Sequence, residues 1–288
     1  MGALVLLLPV LVVLVVSITA RSRPAAPVLP AAADLTSWRR VRHRAAVRLA
    51  VGTPLAGLAG WATARWDSLG RGAAVAVPVA CVVVLAAVVA GEIGIRPPRT
   101  VARTASLRVR RRVDYLPHRL VVAVAAAGGV LLVLLVATTV GGSADDLGRA
   151  GRSLQSSCGS VGPWPGSFYA APLALAVTAG LALTAAGVHQ LTRRPRLGTV
   201  ASSDAADDAL RQLAGRRIVA ACGVLVAVPL LGVALTAGTD LLRVSCQPPS
   251  WQVFGWALLG VAAAAMGLLG WSAGNLLPGT RRPRPLRR

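Results

Sequence analysis

The sequence predicts an all-α membrane protein with seven transmembrane helices: one N-terminal helix followed by three helical hairpins in parallel orientation. Three observations predict this class. Hydrophobic residues make up 55% of the 288-residue chain. Charged residues make up only 14%, whereas soluble domains carry roughly 25%. Apolar runs long enough to cross a bilayer recur along the chain, and a basic segment follows every second one. We therefore expect one polytopic membrane domain that covers residues 1–288.

The first apolar run, residues 3–20, is predicted to be a transmembrane helix that is retained in the mature protein. The alternative is a cleaved signal peptide, which begins with a positively charged segment. Here the first basic residues, Arg21 and Arg23, follow the run instead. This asymmetry keeps the next segment, residues 21–46, in the cytoplasm and places the N-terminus outside the cell.

The first hairpin is predicted to join spans 47–64 and 73–95 through a short turn. Gly52, Ala56 and Gly60 lie one helical turn apart in the first of these spans. Small residues on one face allow a second helix to approach closely. The sequence therefore predicts that this face is a helix-packing surface.

The second and third hairpins repeat this plan. Their predicted spans are residues 120–140, 168–191, 218–238 and 252–276. The loops 141–167 and 239–251 are predicted to be extracellular, and the segments 96–119, 192–217 and 277–288 are predicted to be basic cytoplasmic arms. The residues that lead into two of these spans, Arg119-Leu120-Val121 and Arg217-Ile218-Val219, resemble each other. This resemblance indicates a repeated hairpin.

The distribution of arginine predicts the orientation. The chain has 31 basic residues, all of them Arg, and a formal net charge of +21. Five of them fall in predicted outer segments: Arg65, Arg71, Arg149, Arg152 and Arg243. Because short cytoplasmic loops carry an excess of basic residues, we expect a plasma-membrane protein with its C-terminus in the cytoplasm. We expect the arms to contact anionic lipids of the inner leaflet or an acidic protein partner, and we expect no nucleic-acid partner.

Three polar residues lie near the predicted cytoplasmic ends of spans. Glu92 is the one acidic residue placed within a predicted span, and an intramembrane carboxylate is a candidate for function. His189 and Asn275 occupy similar depths in the other hairpins. One interpretation is a polar pocket on the cytoplasmic side that all three residues line. The other is three unrelated interfacial residues, with Glu92 paired to Arg96 one helical turn away.

Cysteine placement predicts a disulfide between Cys158 and Cys246. Both fall in predicted extracellular loops, and disulfides form in oxidising compartments. The other two, Cys81 and Cys222, fall within spans, where thiols pack as small apolar groups.

The segment after Gly91-Glu92-Ile93 carries a recognisable pattern. It continues through Arg96-Pro97-Pro98, Arg103-Thr104-Ala105-Ser106-Leu107, Arg110-Arg111-Arg112 and Asp114-Tyr115-Leu116-Pro117. The pattern resembles multi-pass integral membrane proteins of high-GC actinobacteria, in which a Gly-Glu helix end and a Tyr-Leu-Pro element bracket a basic arm. The resemblance covers about residues 40–140 well and the rest loosely. It implies a plasma-membrane location, and it transfers no functional residue because no activity is assigned to those proteins.

Motifs for chemistry are scarce. The chain has neither the zinc-protease pattern His-Glu-x-x-His nor the phosphate-binding pattern Gly-x-x-x-x-Gly-Lys. We therefore predict no catalytic site, no cofactor and no metal ion. The leading functional prediction is a non-enzymatic accessory, interaction or scaffold protein of the membrane. The alternative is a small-solute transporter or export component that uses the pocket of Glu92, His189 and Asn275.

Overall fold

The computed structural model describes residues 35–93, 115–193, 201–244, 246 and 248–276, which form six α-helices and one β-hairpin. The helices are α1 Leu35–Ala64, α2 Arg71–Ile93, α3 His118–Val140, α4 Ser167–Arg193, α5 Ala201–Arg243 and α6 Pro249–Leu276. The strands are β1 Leu154–Ser156 and β2 Gly159–Val161. The predicted first span, residues 3–20, lies outside the described residues, as does most of the arm 96–119.

Five of the six described helices are long and apolar enough to cross a membrane. These five are α2 to α6, so the helical class is confirmed, with five helices that are suited by length and composition to cross a membrane. The predicted second span, residues 47–64, forms the second half of α1, which is not among the five.

Helix α5 lies at the centre of the bundle and packs against α2, α3, α4 and α6. Of its most apolar 18-residue stretch, 78% is buried, against 28–39% in the other four spans. A helix that is apolar on every side lies either in a protein core or in lipid, and the high buried fraction of α5 places it in the protein core. The run from Ile218 to Ala237 has this composition and occupies the core. Helix α1 packs chiefly on α2, at the edge of the bundle.

The small-residue face predicted on α1 is confirmed as a contact with α2. Ala56 is 4% exposed. A Cβ atom added at Gly52 would collide with the methyl group of Ala87, and one added at Gly60 would lie 3.2 Å from the carbonyl oxygen of Ala76. The two helix backbones therefore approach as closely as the missing side chains allow.

The hairpins are less alike than the predicted repeat suggests. Helix α3 packs mainly on α5 and α4 mainly on α2, so these two helices contact each other less than α1 contacts α2 or α5 contacts α6. Helix α5 also begins at Ala201, within the predicted arm 192–217, because that arm is rich in alanine and has no proline after Pro195. The third hairpin therefore extends well beyond the predicted span 218–238.

Candidate functional site

The connection between α3 and α4, residues 141–166, folds into a small domain that we call the cap. Ser143 and Ser153 pair as an antiparallel bridge, and β1 pairs with β2 next to it. Gly159, with φ of +136°, adopts a conformation that favours glycine and closes the hairpin turn. The sequence predicted only a polar loop here, because strands of three residues are too short to give an alternating pattern. We call this end of the bundle the cap end and the opposite end the arm end.

Trp164 attaches the cap to the bundle. Its side chain is buried, and its Nε1–H donates to the carbonyl oxygen of Thr138, 2.8 Å away, in the last turn of α3. With Leu154 it packs against Ala237 of α5. A buried indole needs an acceptor for its N–H, and the end of α3 supplies a carbonyl oxygen for it. The cap is therefore held in place by packing and by a directed hydrogen bond.

The structure joins the predicted disulfide partners, Cys158 and Cys246, whose Cα atoms lie 5.9 Å apart. Cys158 lies in the turn of the β-hairpin and Cys246 lies in the short connection between α5 and α6. The bond thus links the two connections at the cap end. Among the described cysteines, Cys81 and Cys222 are free and lie within helices.

Asp145 forms ion pairs with two arginines, Arg149 and Arg152, at the surface of the cap. Arg149 Nε lies 2.7 Å and Arg152 Nη1 lies 3.1 Å from Asp145 Oδ2. The backbone N–H groups of Leu147 and Arg149 donate to Oδ1. The side-chain hydrogen bond from Arg149 is the main reason why the pKa of Asp145 lies well below its usual range. The ionised carboxylate therefore orders this turn of the cap.

We expect acid to destabilise the cap through Asp145. Because its folded-state pKa is depressed below the unfolded value of about 3.9, its contribution to stability is complete above that value and declines as the pH falls through the folded-state pKa. The thermal midpoint of the wild type should therefore fall more steeply below about pH 4 than that of Asp145→Asn. Asp146→Asn, at an exposed neighbouring position, is the matched control and should follow the wild type. Parallel acid profiles for wild type and Asp145→Asn would contradict this role.

Two guanidinium groups lie close to the ring of Phe168, where the cap meets the spans. The Cζ atoms of Arg71 and Arg152 are 5.3 Å and 5.8 Å from the ring centroid. The Nε atom of each arginine is buried and has no hydrogen-bond partner among the described residues. A side-chain hydrogen bond with Tyr169 raises the pKa of Arg152, and the Tyr169 hydroxyl donates to the carbonyl oxygen of Leu69. This place therefore brings together the start of α2, the cap and the start of α4.

Asp240 is a buried acid that sequence reasoning placed in the loop 239–251. It lies in α5, is 3% exposed, and has its Oδ1 atom 3.9 Å from Nη1 of Arg243. Its Oδ2 atom has no hydrogen-bond partner in the part of the chain that the structure describes. The helix runs past the predicted end of the span because Leu241 and Leu242 continue the apolar sequence. Those two leucines are the signal that could have revealed it.

The arm end holds a second buried charge pair. Arg211 Nε lies 2.8 Å from Asp207 Oδ2, with side-chain exposures of 1% and 4%. Arg211 Nη1 donates to the carbonyl oxygen of Leu191 in the last turn of α4. The Tyr115 hydroxyl donates to Asp208 Oδ1 at 3.2 Å. These five residues form the arm-end cluster, which joins α4 and α5 to the segment before α3. The sequence predicted these charges to lie in the cytoplasmic arm 192–217.

Of the three residues of the predicted polar pocket, the structure describes the side chains of two, His189 and Asn275. Glu92 lies in the last turn of α2, but its side chain lies outside what the structure describes. His189 is half-buried in α4. Asn275 donates from Nδ2 to the carbonyl oxygen of Trp271 on its own helix, at 2.8 Å. The common pocket therefore stays a prediction.

A serine motif near Asn275 was missed at the level of sequence. Gly270-Trp271-Ser272-Ala273-Gly274 has the letters of the hydrolase pattern Gly-x-Ser-x-Gly, which requires an exposed serine on a strand-to-helix turn. Here Ser272 lies within α6, is 0% exposed, and its Oγ atom has no hydrogen-bond partner among the described residues. A Cβ atom added at Gly223 of α5 would collide with this hydroxyl. Ser272 therefore lies at a close contact between α5 and α6 and lacks the exposed strand-to-helix turn of that pattern.

The described residues contain no group of three or more His, Cys, Asp or Glu side chains that could hold a metal ion. No protein-family model, curated protein or solved structure matches the chain. The resemblance to actinobacterial membrane proteins thus stays a prediction, and most of its basic arm lies outside the described residues.

Proposed function

We propose that the chain is a non-enzymatic accessory or interaction protein of the plasma membrane that crosses the bilayer seven times. In this arrangement residues 3–20 form the first span, and α1 supplies the second span as the start of three parallel hairpins. The excess of arginine in the arms supports an external N-terminus and a cytoplasmic C-terminus. The cap then faces the outside, where the Cys158–Cys246 bond can form and persist. The arms contact anionic lipids of the inner leaflet.

The observation that carries the non-transporting role is the packing of α5. Leu225, Val226 and Ala234 are each 0% exposed, so this helix fills the centre of the bundle with apolar side chains. Transporters place substrate and ion sites at midplane breaks between helices, lined by polar groups. In contrast, close contacts occur here even beside glycines: a Cβ atom added at Gly180 would collide with Leu225. The described spans are therefore suited to holding a fixed shape.

The cap supports an interaction role. It is anchored by Trp164 and by the disulfide, so a partner that binds it does not have to order a flexible loop, which lowers the entropic cost of binding. Leu147 on the cap is 74% exposed, and Trp66, in the connection between α1 and α2 at the same end of the bundle, is 72% exposed. A contiguous apolar patch on a folded surface marks a protein contact site, and we propose that Leu147 and Trp66 belong to such a patch. We assign partner recognition to this end.

Site-specific photocrosslinking in intact cells tests the interaction role. A photoreactive amino acid at Leu147 or Trp66 should give an adduct with a protein of defined mass. The matched control is Leu175, a leucine on α4 that is 73% exposed and faces the predicted lipid region. The control should give no protein adduct. Absence of protein adducts at both cap-end positions, or equal adducts at Leu175, would contradict the proposal.

A small-solute transporter or export component is the second candidate, and the buried carboxylate of Asp240 favours it. An acid within a span that lacks a partner for one oxygen is typical of ion pathways. The cytoplasmic part of such a pathway would be lined by Glu92, His189 and Asn275. Solute flux into proteoliposomes separates the two candidates. Flux that is lost in Glu92→Gln or Asp240→Asn would support transport, whereas no flux, or flux unchanged in both variants, would support the interaction role.

A further inference from the structure

We propose that Arg71, Arg152 and Phe168 form a binding site for a phosphate group at the cap end of the bundle. Arg71 begins one membrane-crossing segment and Ser167, next to Phe168, begins another. The site therefore lies at the depth where spans give way to the cap, which is the level of lipid headgroups in a bilayer. The proposal does not depend on the interaction role argued above.

The site formed by Arg71, Arg152 and Phe168 has an excess of positive charge, which favours binding of an anion. Arg71 makes no ion pair with any residue that the structure describes, although its Nε atom is buried. Arg152 shares its carboxylate, Asp145, with Arg149. Three guanidinium groups thus have one carboxylate between them. Arg71 is partly exposed, and its buried Nε side has lost water without gaining an anionic partner, which is unfavourable. An anion bound at the exposed side would compensate the charge of Arg71.

The geometry favours a phosphate. The ring of Phe168 lies within 6 Å of both Cζ atoms and restrains both guanidinium groups through cation–π contact. Planar guanidinium groups bind the oxygens of phosphate in pairs, with charge-assisted hydrogen bonds. Because the Nε atoms are buried, the remaining exposure of Arg152, 21% of its side chain, lies on its other atoms. The N-terminal ends of α2 and α4, both at this place, add positive potential.

The phosphate can come from a phospholipid headgroup or from solution, and one titration distinguishes the two. Purified full-length protein in an uncharged detergent is titrated with phosphatidylglycerol, with diacylglycerol of the same acyl chains, or with inorganic phosphate, while the thermal midpoint is followed. Phosphatidylglycerol should raise the midpoint of the wild type, whereas diacylglycerol should not. A rise with phosphatidylglycerol alone identifies the headgroup as the source, and an equal rise with inorganic phosphate identifies the free anion.

Arg71→Gln is the decisive variant, and Arg65→Gln is its matched control. Arg65 lies at the same end of the bundle, and its Cζ atom is 4.4 Å from the centroid of the Trp61 ring. Both changes therefore remove one arginine charge, and one cation–π contact, from the cap end. The basic arms bind anionic lipid equally in both variants. Arg71→Gln should require roughly tenfold more ligand than Arg65→Gln for half of the midpoint rise. Arg152→Lys keeps the charge beside Asp145 but loses the planar group, and it should also weaken the response.

Four results would overturn the proposal. These are no response of the wild type to either phosphate source, equal responses of Arg71→Gln and Arg65→Gln, and a response to diacylglycerol that matches that to phosphatidylglycerol. The fourth is a ligand-free midpoint of Arg71→Gln below that of Arg65→Gln. Removal of a cation that lacks an anionic partner should not destabilise the unliganded protein, so a lower midpoint would mean that Arg71 serves the fold and not a ligand.

Discussion

Reduction of the Cys158–Cys246 disulfide is expected to lower the free energy of unfolding by about 3 kcal/mol. The two cysteines are separated by 88 residues, and in the chain-entropy account the restraint on the unfolded chain grows with the logarithm of loop length. For a fully flexible unfolded chain, the chain-entropy account gives a somewhat larger loss of stability. We expect a smaller loss because helices that persist in detergent already restrict the unfolded chain. The bond also holds the hairpin turn over α5, where Leu154 and Trp164 pack on Ala237.

Single cysteine variants measure this effect. Cys158→Ser, Cys246→Ser and the reduced wild type should share one lowered midpoint, because each lacks the same bond. Cys81→Ser, which removes a free cysteine of α2, is the control and should respond to reductant as the wild type does. If the reductant leaves the wild-type midpoint unchanged, the bond does not stabilise the native state.

The same variants test on which side of the membrane the cap lies. An impermeant thiol reagent applied to intact cells should label Cys246 in Cys158→Ser, and should label the wild type only after reduction. Labelling of this kind requires both connections to be outside, as the seven-span arrangement predicts. Thiols that stay unreactive after reduction, with the cap accessible from the cytoplasm, would reverse the orientation and mean that the first apolar run is not a retained span.

Helix positions could be predicted from the sequence because lipid imposes a simple requirement. A span must be apolar along its whole length, so an apolar run is visible without knowledge of its neighbours. The span predicted at 120–140 matches α3, His118–Val140, and the span predicted at 252–276 matches α6, Pro249–Leu276. The packing face of Gly52, Ala56 and Gly60 was predictable for the same reason. Small residues at helical spacing indicate a helix-packing face, and this pattern is visible in the sequence of one helix alone.

The buried charges could not be predicted, because burial of a charge depends on what surrounds it. Asp207 and Arg211 are four residues apart in a basic stretch, a pattern that also fits an exposed helix. Burial depends on α4, whose Leu191 carbonyl oxygen accepts a hydrogen bond from Arg211. The anchoring of the cap is equally non-local, since Trp164 bonds Thr138 in the preceding helix. The disulfide was the exception, because only two cysteines fell outside the spans.

Asp207→Asn is expected to destabilise the protein by about 3 kcal/mol, because it breaks a buried ion pair from one side. The Arg211 side chain is 1% exposed, so water cannot replace the lost carboxylate. Its hydrogen bond to Leu191 remains, which places the expected loss at the lower end of the range for broken buried pairs. Since the same guanidinium group connects α4 to α5, the loss should loosen the arm end of the bundle.

Two further variants separate charge compensation from packing in this pair. Asp208→Asn retains an oxygen that can accept from the Tyr115 hydroxyl, so it should cost less than about 1 kcal/mol and serves as the matched control. The double variant Asp207→Leu with Arg211→Met removes both charges and keeps apolar volume, so it should recover most of the stability that Asp207→Asn loses. Thermal midpoints of the four proteins in one detergent give the comparison. If Asp207→Asn were no less stable than Asp208→Asn, the pair would not hold the arm end. If the double variant were as unstable as Asp207→Asn, shape and the bond to Leu191, not compensation of the buried charge, would hold α4 against α5.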